Sequence, residues 1–137
     1  MDKVVHFEIP VDDWERAEKF YKNNFGWSMN EMKSPDAAGN NKFDYIMMHT
    51  AKTDDKGMVQ DTGAINGGLF KRNKSQAPRI YIQVESIEDS IKKIENSGGK
   101  QIGAIGPIPN GRFVLFQDPE GNQVGMVDAK KMDMPKM

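Results

Sequence analysis

Apolar and polar side chains alternate along residues 4–10, VVHFEIP, near the start of the chain. This period of two is typical of a β-strand, in which side chains two positions apart lie on the same face. His6 and Glu8 therefore share one face, and the apolar residues on either side of them lie on the other. The pattern predicts a strand with one apolar and one polar face, and it makes His6 and Glu8 the first candidate site residues.

The period changes to that of an amphipathic helix directly after this strand, in residues 12–26. Asp12 is a suitable N-cap, and Glu15 follows three residues later as in a capping box. Gly26 can end the helix in the left-handed conformation. The apolar positions recur at helical spacing and are Trp14, Ala17, Tyr21 and Phe25. We predict a helix of about three turns that buries this stripe.

The same order of signals returns in residues 79–100. A short apolar strand is followed by Ser86 as an N-cap, by isoleucines at helical spacing and by a glycine pair at residues 98–99. A constant shift places His6 on Arg79 and Glu8 on Tyr81. An internal repeat of this kind predicts two copies of one structural module.

Each predicted helix is followed by three further strands. They cover residues 27–32, 42–49 and 64–70 in the first copy, and residues 100–105, 112–117 and 123–128 in the second. The chain is thus predicted to be α+β, with two βαβββ modules, the first at about residues 1–74 and the second at about 75–128. We expect a mobile loop at residues 51–62 and a disordered polar tail at 129–137.

Adjacent glycines occur at residues 67–68, within the last strand of the first module. Glycine inside a strand is typical of a bulge or bend, or of a place where a ligand or another backbone comes close. We interpret the pair as a bend or bulge.

Composition narrows the possible functions. The 137 residues suffice for one ordinary domain, and the formal charge of −1 does not favour nucleic-acid binding. The absence of cysteine excludes disulfides and thiolate ligands. Neither a membrane-spanning apolar run nor a secretory leader is recognisable, so we expect a cytoplasmic protein without a membrane or nucleic-acid partner.

The opening HFEIPVDDWERAEKFYKNNFGW and the later GPIPNGRFVLFQDPEGNQVGM resemble the vicinal oxygen chelate superfamily. This group includes glyoxalase I, extradiol dioxygenases and bleomycin-resistance proteins. The resemblance covers roughly residues 3–128 and implies that the curled mixed sheets of the paired modules enclose a cavity. It also implies a homodimer, in which modules could pair within one chain or be exchanged between two.

The resemblance implies where a divalent metal would be bound, because metal-dependent members take ligands from the first and last strands of each module. His6 matches the first-strand position of the first module, but the same position in the second module is Arg79, which cannot be a metal ligand. The two last-strand positions fall on or beside Gly67 and Gly125, and neither region offers a carboxylate. We therefore expect no metal cofactor. A metal site remains an alternative only if Glu8 or His49 supplies further ligands.

We expect the chain to bind a small organic molecule in the cavity between the modules, without a catalytic metal. Arg79 favours an anionic or carbonyl-bearing ligand. One alternative is a metal-dependent lyase or isomerase resembling glyoxalase I, and another is a non-catalytic interaction or accessory protein. Whether the chain is an enzyme stays open, and the resemblance implies lyase, isomerase or dioxygenase chemistry if it is. The predicted ligand-binding residues are His6, Glu8, Tyr45, Arg79, Tyr81 and Phe113.

Overall fold

The computed structural model describes residues 1–35, 41–56, 58–73 and 76–132, with only the backbone described for residues 34, 35 and 41–43. Its elements follow the predicted order in both modules. They are β1 (Lys3–Val11), α1 (Trp14–Phe25), β2 (Ser28–Pro35), β3 (Asn41–His49), β4 (Asn66–Lys71), β5 (Arg79–Gln83), α2 (Ile87–Asn96), β6 (Lys100–Ile108), β7 (Gly111–Gln117) and β8 (Gln123–Asp128). The predicted α+β fold with two βαβββ modules is confirmed. Residues 133–137 of the predicted disordered tail lie outside the described residues.

The chain divides into two compact units, one formed by His6–Pro78 and the other by the chain from Arg79 onward together with Met1–Val5. In the N-terminal module the strand order is β2-β3-β4-β1, and in the C-terminal module it is β5-β8-β7-β6. In each module the first and last strands run parallel, while the remaining neighbours are antiparallel. The predicted mixed sheet is therefore present in both.

The helix of each module covers one face of its sheet. In the N-terminal module, apolar side chains of β1, β3 and β4 pack with α1, and the buried ones are Val11, Ile46, Met48 and Leu69. In the C-terminal module, the buried core consists of Val84, Ile87, Ile91, Val114, Phe116 and Met126. Among the described residues, neither helix has the length and apolar character needed to span a bilayer.

The predicted N-cap of α2 and the predicted end of α1 are confirmed, whereas α2 ends one residue earlier than its glycine pair, with Ser97 as the C-cap. Asp13, rather than Asp12, is the N-cap of α1, and its carboxylate accepts a hydrogen bond from the Arg16 N–H at 3.0 Å. The Asp12 carboxylate instead pairs with the Arg72 Nε at 3.2 Å. Two adjacent aspartates are chemically equivalent as caps, so the register of the first turn decides between them. Gly26 ends α1 with a φ of 72°, as predicted.

Ser86 caps α2 as predicted, by accepting a hydrogen bond from the Asp89 N–H. A second carboxylate, that of Asp128 in β8, accepts from the Ile87 N–H at 3.0 Å. Asp128 is only 3% exposed, and it also binds the Arg112 guanidinium through both of its oxygens, at 3.0 and 2.5 Å. A buried ion pair thus joins α2 to strands β7 and β8.

Glu88 completes this cluster from the surface side. Its two carboxylate oxygens accept from Arg112 at 2.8 Å each, and these hydrogen bonds lower the pKa of Glu88 to about 2. Burial by itself would raise the pKa of Asp128, but hydrogen bonds from Arg112 and from the backbone N–H groups of Ile87 and Lys130 lower it overall. Both carboxylates are therefore ionised at neutral pH, and the Arg112 guanidinium forms ion pairs with both of them.

Replacing Asp128 with asparagine should destabilise the protein by about 3–5 kcal/mol, because Arg112 would keep a buried charge without its buried counter-ion. Urea unfolding followed by circular dichroism measures the loss. Glu88→Gln is the matched control, and its loss should be clearly smaller because the Glu88 side chain is 50% exposed. Equal losses in the two variants would contradict the assignment of Asp128 as the anchoring carboxylate.

Candidate functional site

The sheet of the N-terminal module has a second face, opposite α1, which we call its helix-free face. The parallel register of β1 and β4 sets His6 beside Asn66 and Glu8 beside Gly68. Since Phe7 packs in the core with α1, strand alternation places His6 and Glu8 on the helix-free face, as the sequence predicts. Tyr45 of β3 reaches the same face, as its contact with His6 shows.

His6 and Tyr45 form the central hydrogen bond of this face. The His6 Nε2 lies 2.8 Å from the Tyr45 Oη, and the two rings are nearly parallel, with their centroids 6.5 Å apart. Depending on the histidine tautomer, the phenol either donates to Nε2 or accepts from it. The pair joins residues 39 positions apart in sequence and can exchange a proton with a group placed against it.

Glu8 lies on the same face and is only 7% exposed, which is unusual for a carboxylate. Its negative charge acts on His6: burial lowers the pKa of the imidazole, and the charge of Glu8 partly opposes this by raising it. Burial is the larger effect, so His6 is neutral at pH 7. A neutral imidazole can both donate and accept a hydrogen bond.

Asn66 is a polar residue of this face that the sequence analysis missed. It is 7% exposed, and its Oδ1 accepts a hydrogen bond from the Thr50 N–H at 3.1 Å. It ties the end of β3 to the start of β4, directly beside His6 in the sheet register. The sequence could have indicated this, because Asn66 lies two residues before Gly68 in the same strand and residues two apart share a face.

Gly67 and Gly68 do not mark a bulge, contrary to our interpretation. β4 pairs without a register shift with β1 on one side and β3 on the other. Each glycine instead makes room for an aromatic ring. A Cβ atom on Gly67 would lie 2.4 Å from the Phe7 ring on the core face, and one on Gly68 would lie only 1.9 Å from the Tyr45 Oη.

The C-terminal module has a corresponding helix-free face. Arg79 and Tyr81 alternate along β5 with Ile82, which packs in the core, and Tyr81 pairs in register with Gly125. The Tyr81 ring is buried and covers this glycine, since a Cβ atom there would lie 2.3 Å from Cε2 of the ring. Phe113 of β7 likewise covers Gly106, a residue of β6.

The six predicted ligand-binding residues are thus divided between the two modules. His6, Glu8 and Tyr45 come together on the N-terminal module, and His6 and Tyr45 are in direct contact. The other three share the helix-free face of the C-terminal module and are Arg79, Tyr81 and Phe113.

His49, the other histidine, ends β3 and pairs with Ser28 of β2. Its Nδ1 is buried, and in the described part of the chain it has no hydrogen-bond partner. The residue lines an open groove of about 420 Å³ together with Gly26, Ser28 and residues 50–53. Thr53 and Val59 form an isolated antiparallel bridge within residues 51–62, and the mobility of this loop stays a prediction.

The residues present do not fit a divalent metal. Within the described ranges, no three His, Asp or Glu side chains are grouped so that they could hold one ion. The Nε2 of His6 is already hydrogen-bonded to Tyr45. The register also shows that Gly68, rather than Gly67, is the last-strand residue on the face of His6. A tight site uses three or four ligands, and these residues supply too few.

Gly68→Ala should destabilise the protein by about 1–3 kcal/mol, because the new methyl group would overlap the Tyr45 phenol. In a Tyr45→Ala background the same change should cost much less. Denaturant unfolding of the two single variants and the double variant gives the coupling energy. Gly67→Ala is the matched control: it overlaps Phe7 on the opposite face and should show no coupling to Tyr45. Additive losses for Gly68 and Tyr45 would contradict the contact.

His6 should titrate below the usual histidine pKa of about 6.5, because burial disfavours the imidazolium ion. Glu8→Gln should lower its pKa further, since the opposing negative charge is removed. Titration followed by NMR of the ring protons measures both values. As the pH falls, the imidazole of His6 is protonated in the unfolded chain before it is protonated in the folded protein. The free energy of unfolding should therefore decline as the pH falls below about 6.5. A His6 pKa above that value, or no response to Glu8→Gln, would contradict this electrostatic account.

Comparison with known proteins agrees with this architecture. The family model described as bleomycin resistance protein-like N-terminal matches residues 3–39. A glyoxylase-like domain-containing protein from Didymella fabae is 35% identical over 124 residues, which make up 88% of this chain and 88% of that protein. This identity and coverage suffice to assign a family.

Solved structures show the same fold at much lower identity. A hypothetical protein from Bacillus halodurans matches with a TM-score of 0.63 at 15% identity, covering 98% of this chain and 99% of that one. A methylmalonyl-CoA epimerase in complex with methylmalonyl-CoA and NH4+ matches with a TM-score of 0.64 at 14% identity, with the same coverage. The chain belongs to the vicinal oxygen chelate superfamily, among its glyoxalase-like and bleomycin-resistance-like proteins.

Proposed function

We propose that this protein binds a small organic molecule on the helix-free face of its N-terminal module, without a catalytic metal. The observation that carries this proposal is the His6–Tyr45 hydrogen bond beside the buried carboxylate of Glu8. Binding pockets place a few convergent polar groups among apolar and aromatic surfaces. The aromatic ring of Tyr45 and the polar atoms of His6 and Glu8 supply both kinds of surface.

The cost of burying these polar groups supports a functional role. A buried carboxylate is expensive, and replacing such polar groups by apolar ones of similar shape is often neutral or stabilising. The opposite face of the same strands is built from apolar side chains such as Ile46 and Leu69. A histidine, a glutamate and a tyrosine on this face are therefore candidates for contact with a ligand.

The polar groups favour a ligand with a carboxylate or carbonyl oxygen. The mutual hydrogen bond uses one of the two donor hydrogens of Tyr45 and neutral His6. When Nε2 carries the proton and donates to the phenol oxygen, the Tyr45 hydroxyl keeps its own hydrogen to donate to such an oxygen. The role of Arg79, Tyr81 and Phe113, on the helix-free face of the C-terminal module, stays a separate prediction. One structural neighbour holds methylmalonyl-CoA, which carries both kinds of oxygen, and this adds support by analogy of fold.

The metal-dependent lyase or isomerase alternative is less well supported, because Arg79, Gly68 and Gly125 supply no ligands at the positions that the family resemblance implies. No observation favours an accessory role over ligand binding. The cytoplasmic location and the homodimer stay predictions from the sequence.

A thermal-shift screen of small carboxylic acids, oxo acids and aldehydes tests the proposal. A compound present at a hundred times its Kd stabilises the folded protein by about 2.7 kcal/mol, which a melting curve resolves. For the best compound, Tyr45→Phe should weaken binding by about tenfold, the value of one buried hydrogen bond. Lys92→Ala, an exposed change on α2, is the control and should bind like the unmodified protein.

Two results would contradict the proposal. One is that no compound of these classes raises the melting temperature. The other is that a bound compound is retained with unchanged affinity in both Tyr45→Phe and His6→Ala, which would place its site elsewhere.

A further inference from the structure

The two modules share a feature that their sequences do not: in each, a tyrosine ring covers a glycine of the last strand. Tyr45 covers Gly68 in the N-terminal module, and Tyr81 covers Gly125 in the C-terminal module. The tyrosines come from different strands, β3 and β5, so the repeat of the modules does not explain the coincidence. The hydroxyl end of Tyr45 lies over Gly68, whereas carbons of the Tyr81 ring lie over Gly125.

The contact at Gly68 is the closer of the two. A Cβ atom there would lie 1.9 Å from the Tyr45 Oη and 2.1 Å from its Cζ. Any side chain at position 68 would therefore have to occupy the volume of the phenol group. The same Oη lies 2.8 Å from the His6 Nε2. One hydroxyl thus fills the space of a last-strand side chain and engages the histidine nitrogen.

We infer that the Tyr45 hydroxyl has taken the place of a last-strand metal ligand, so that the site contacts a ligand oxygen through the Tyr45–His6 pair and excludes divalent cations. The exclusion follows from the geometry alone, while contact with a ligand oxygen rests on the function proposed above. A metal would need the His6 Nε2 at about 2.0–2.1 Å, together with other ligands at similar range. The Tyr45 phenol is hydrogen-bonded to that nitrogen and leaves no room for a metal-ligating side chain at position 68.

Tyr81 and Gly125 support the same reading in the C-terminal module. A Cβ atom on Gly125 would lie 2.3 Å and 2.4 Å from two carbons of the Tyr81 ring. The first-strand position of that module holds Arg79, which cannot act as a ligand because it stays protonated. Both last-strand positions are therefore closed by tyrosine rings.

Cobalt titration tests the inference without any organic ligand, so its outcome is independent of the screen described above. The unmodified protein should bind Co²⁺ weakly or not at all, by calorimetry and by visible absorption of the ion. The double variant Tyr45→Ala with Gly68→Glu removes the phenol and adds a carboxylate on the face of His6. It should bind Co²⁺ at least about tenfold more tightly, because a coordinating carboxylate should contribute no less than an outer-shell hydrogen-bond partner, which is worth about 10–100-fold.

A triple variant that adds His6→Ala to this pair is the matched control and should lose the gained affinity. The melting temperature and circular dichroism of each variant show that it is folded before titration. Stoichiometric, His6-dependent Co²⁺ binding by the unmodified protein would overturn the inference. So would a folded double variant that binds no better than the unmodified protein, because position 68 would then not lie at a ligand position.

If the double variant does not fold, the Tyr45–His6 pair can be tested in Tyr45→Phe, which keeps the ring and removes only the hydroxyl. The ring-nitrogen NMR signals of His6 should shift in this variant, since Nε2 loses its partner. Signals identical to those of the unmodified protein would overturn the inference.

Discussion

The parallel pairing of the first and last strands in each module is the constraint on which the rest depends. Parallel neighbours need a crossover between them, and here the crossover includes the helix. The helix packs on one face of the sheet, and the core there is built from every second residue of the strands, such as Ile46, Leu69 and Val114. The residues between these core positions lie on the other face of the sheet. Because β1 and β4 are in register, His6 and Glu8 then lie beside Asn66 and Gly68.

The sequence predicted the elements well because their signals are local. Each signal is contained in a short segment of the chain: the alternation in β1, the isoleucine spacing in α2, and the caps at Ser86 and Gly26. The choice between Asp12 and Asp13 could not be made, since it depends on where the first turn begins. The parity argument also placed His6 and Glu8 correctly on one face, because it needs only one strand.

The contacts within the site could not be predicted in the same way. The His6–Tyr45 bond joins β1 to β3, and the relative register of these strands is set by β4, which pairs with both. The sequence placed Tyr45 on the expected face but could not name its partner. The bulge expected at residues 67 and 68 was wrong for the same reason: glycine in a strand indicates either a bulge or a close approach, and only the neighbouring strands show that the Phe7 and Tyr45 rings lie there.

Superfamily membership leaves the chemistry of this site open, and we infer that the volume at position 68 decides it. A side chain there would displace Tyr45 and free the His6 nitrogen, whereas glycine admits the phenol and commits that nitrogen to a hydrogen bond. Burial favours the neutral imidazole, which keeps this bond available in either direction. A metal would polarise a ligand oxygen by its charge, while a phenol and an imidazole can only donate to it or exchange a proton with it. The chain thus shares its fold with its superfamily relatives, while His6, Tyr45 and Gly68 favour the recognition by hydrogen bonds that we propose.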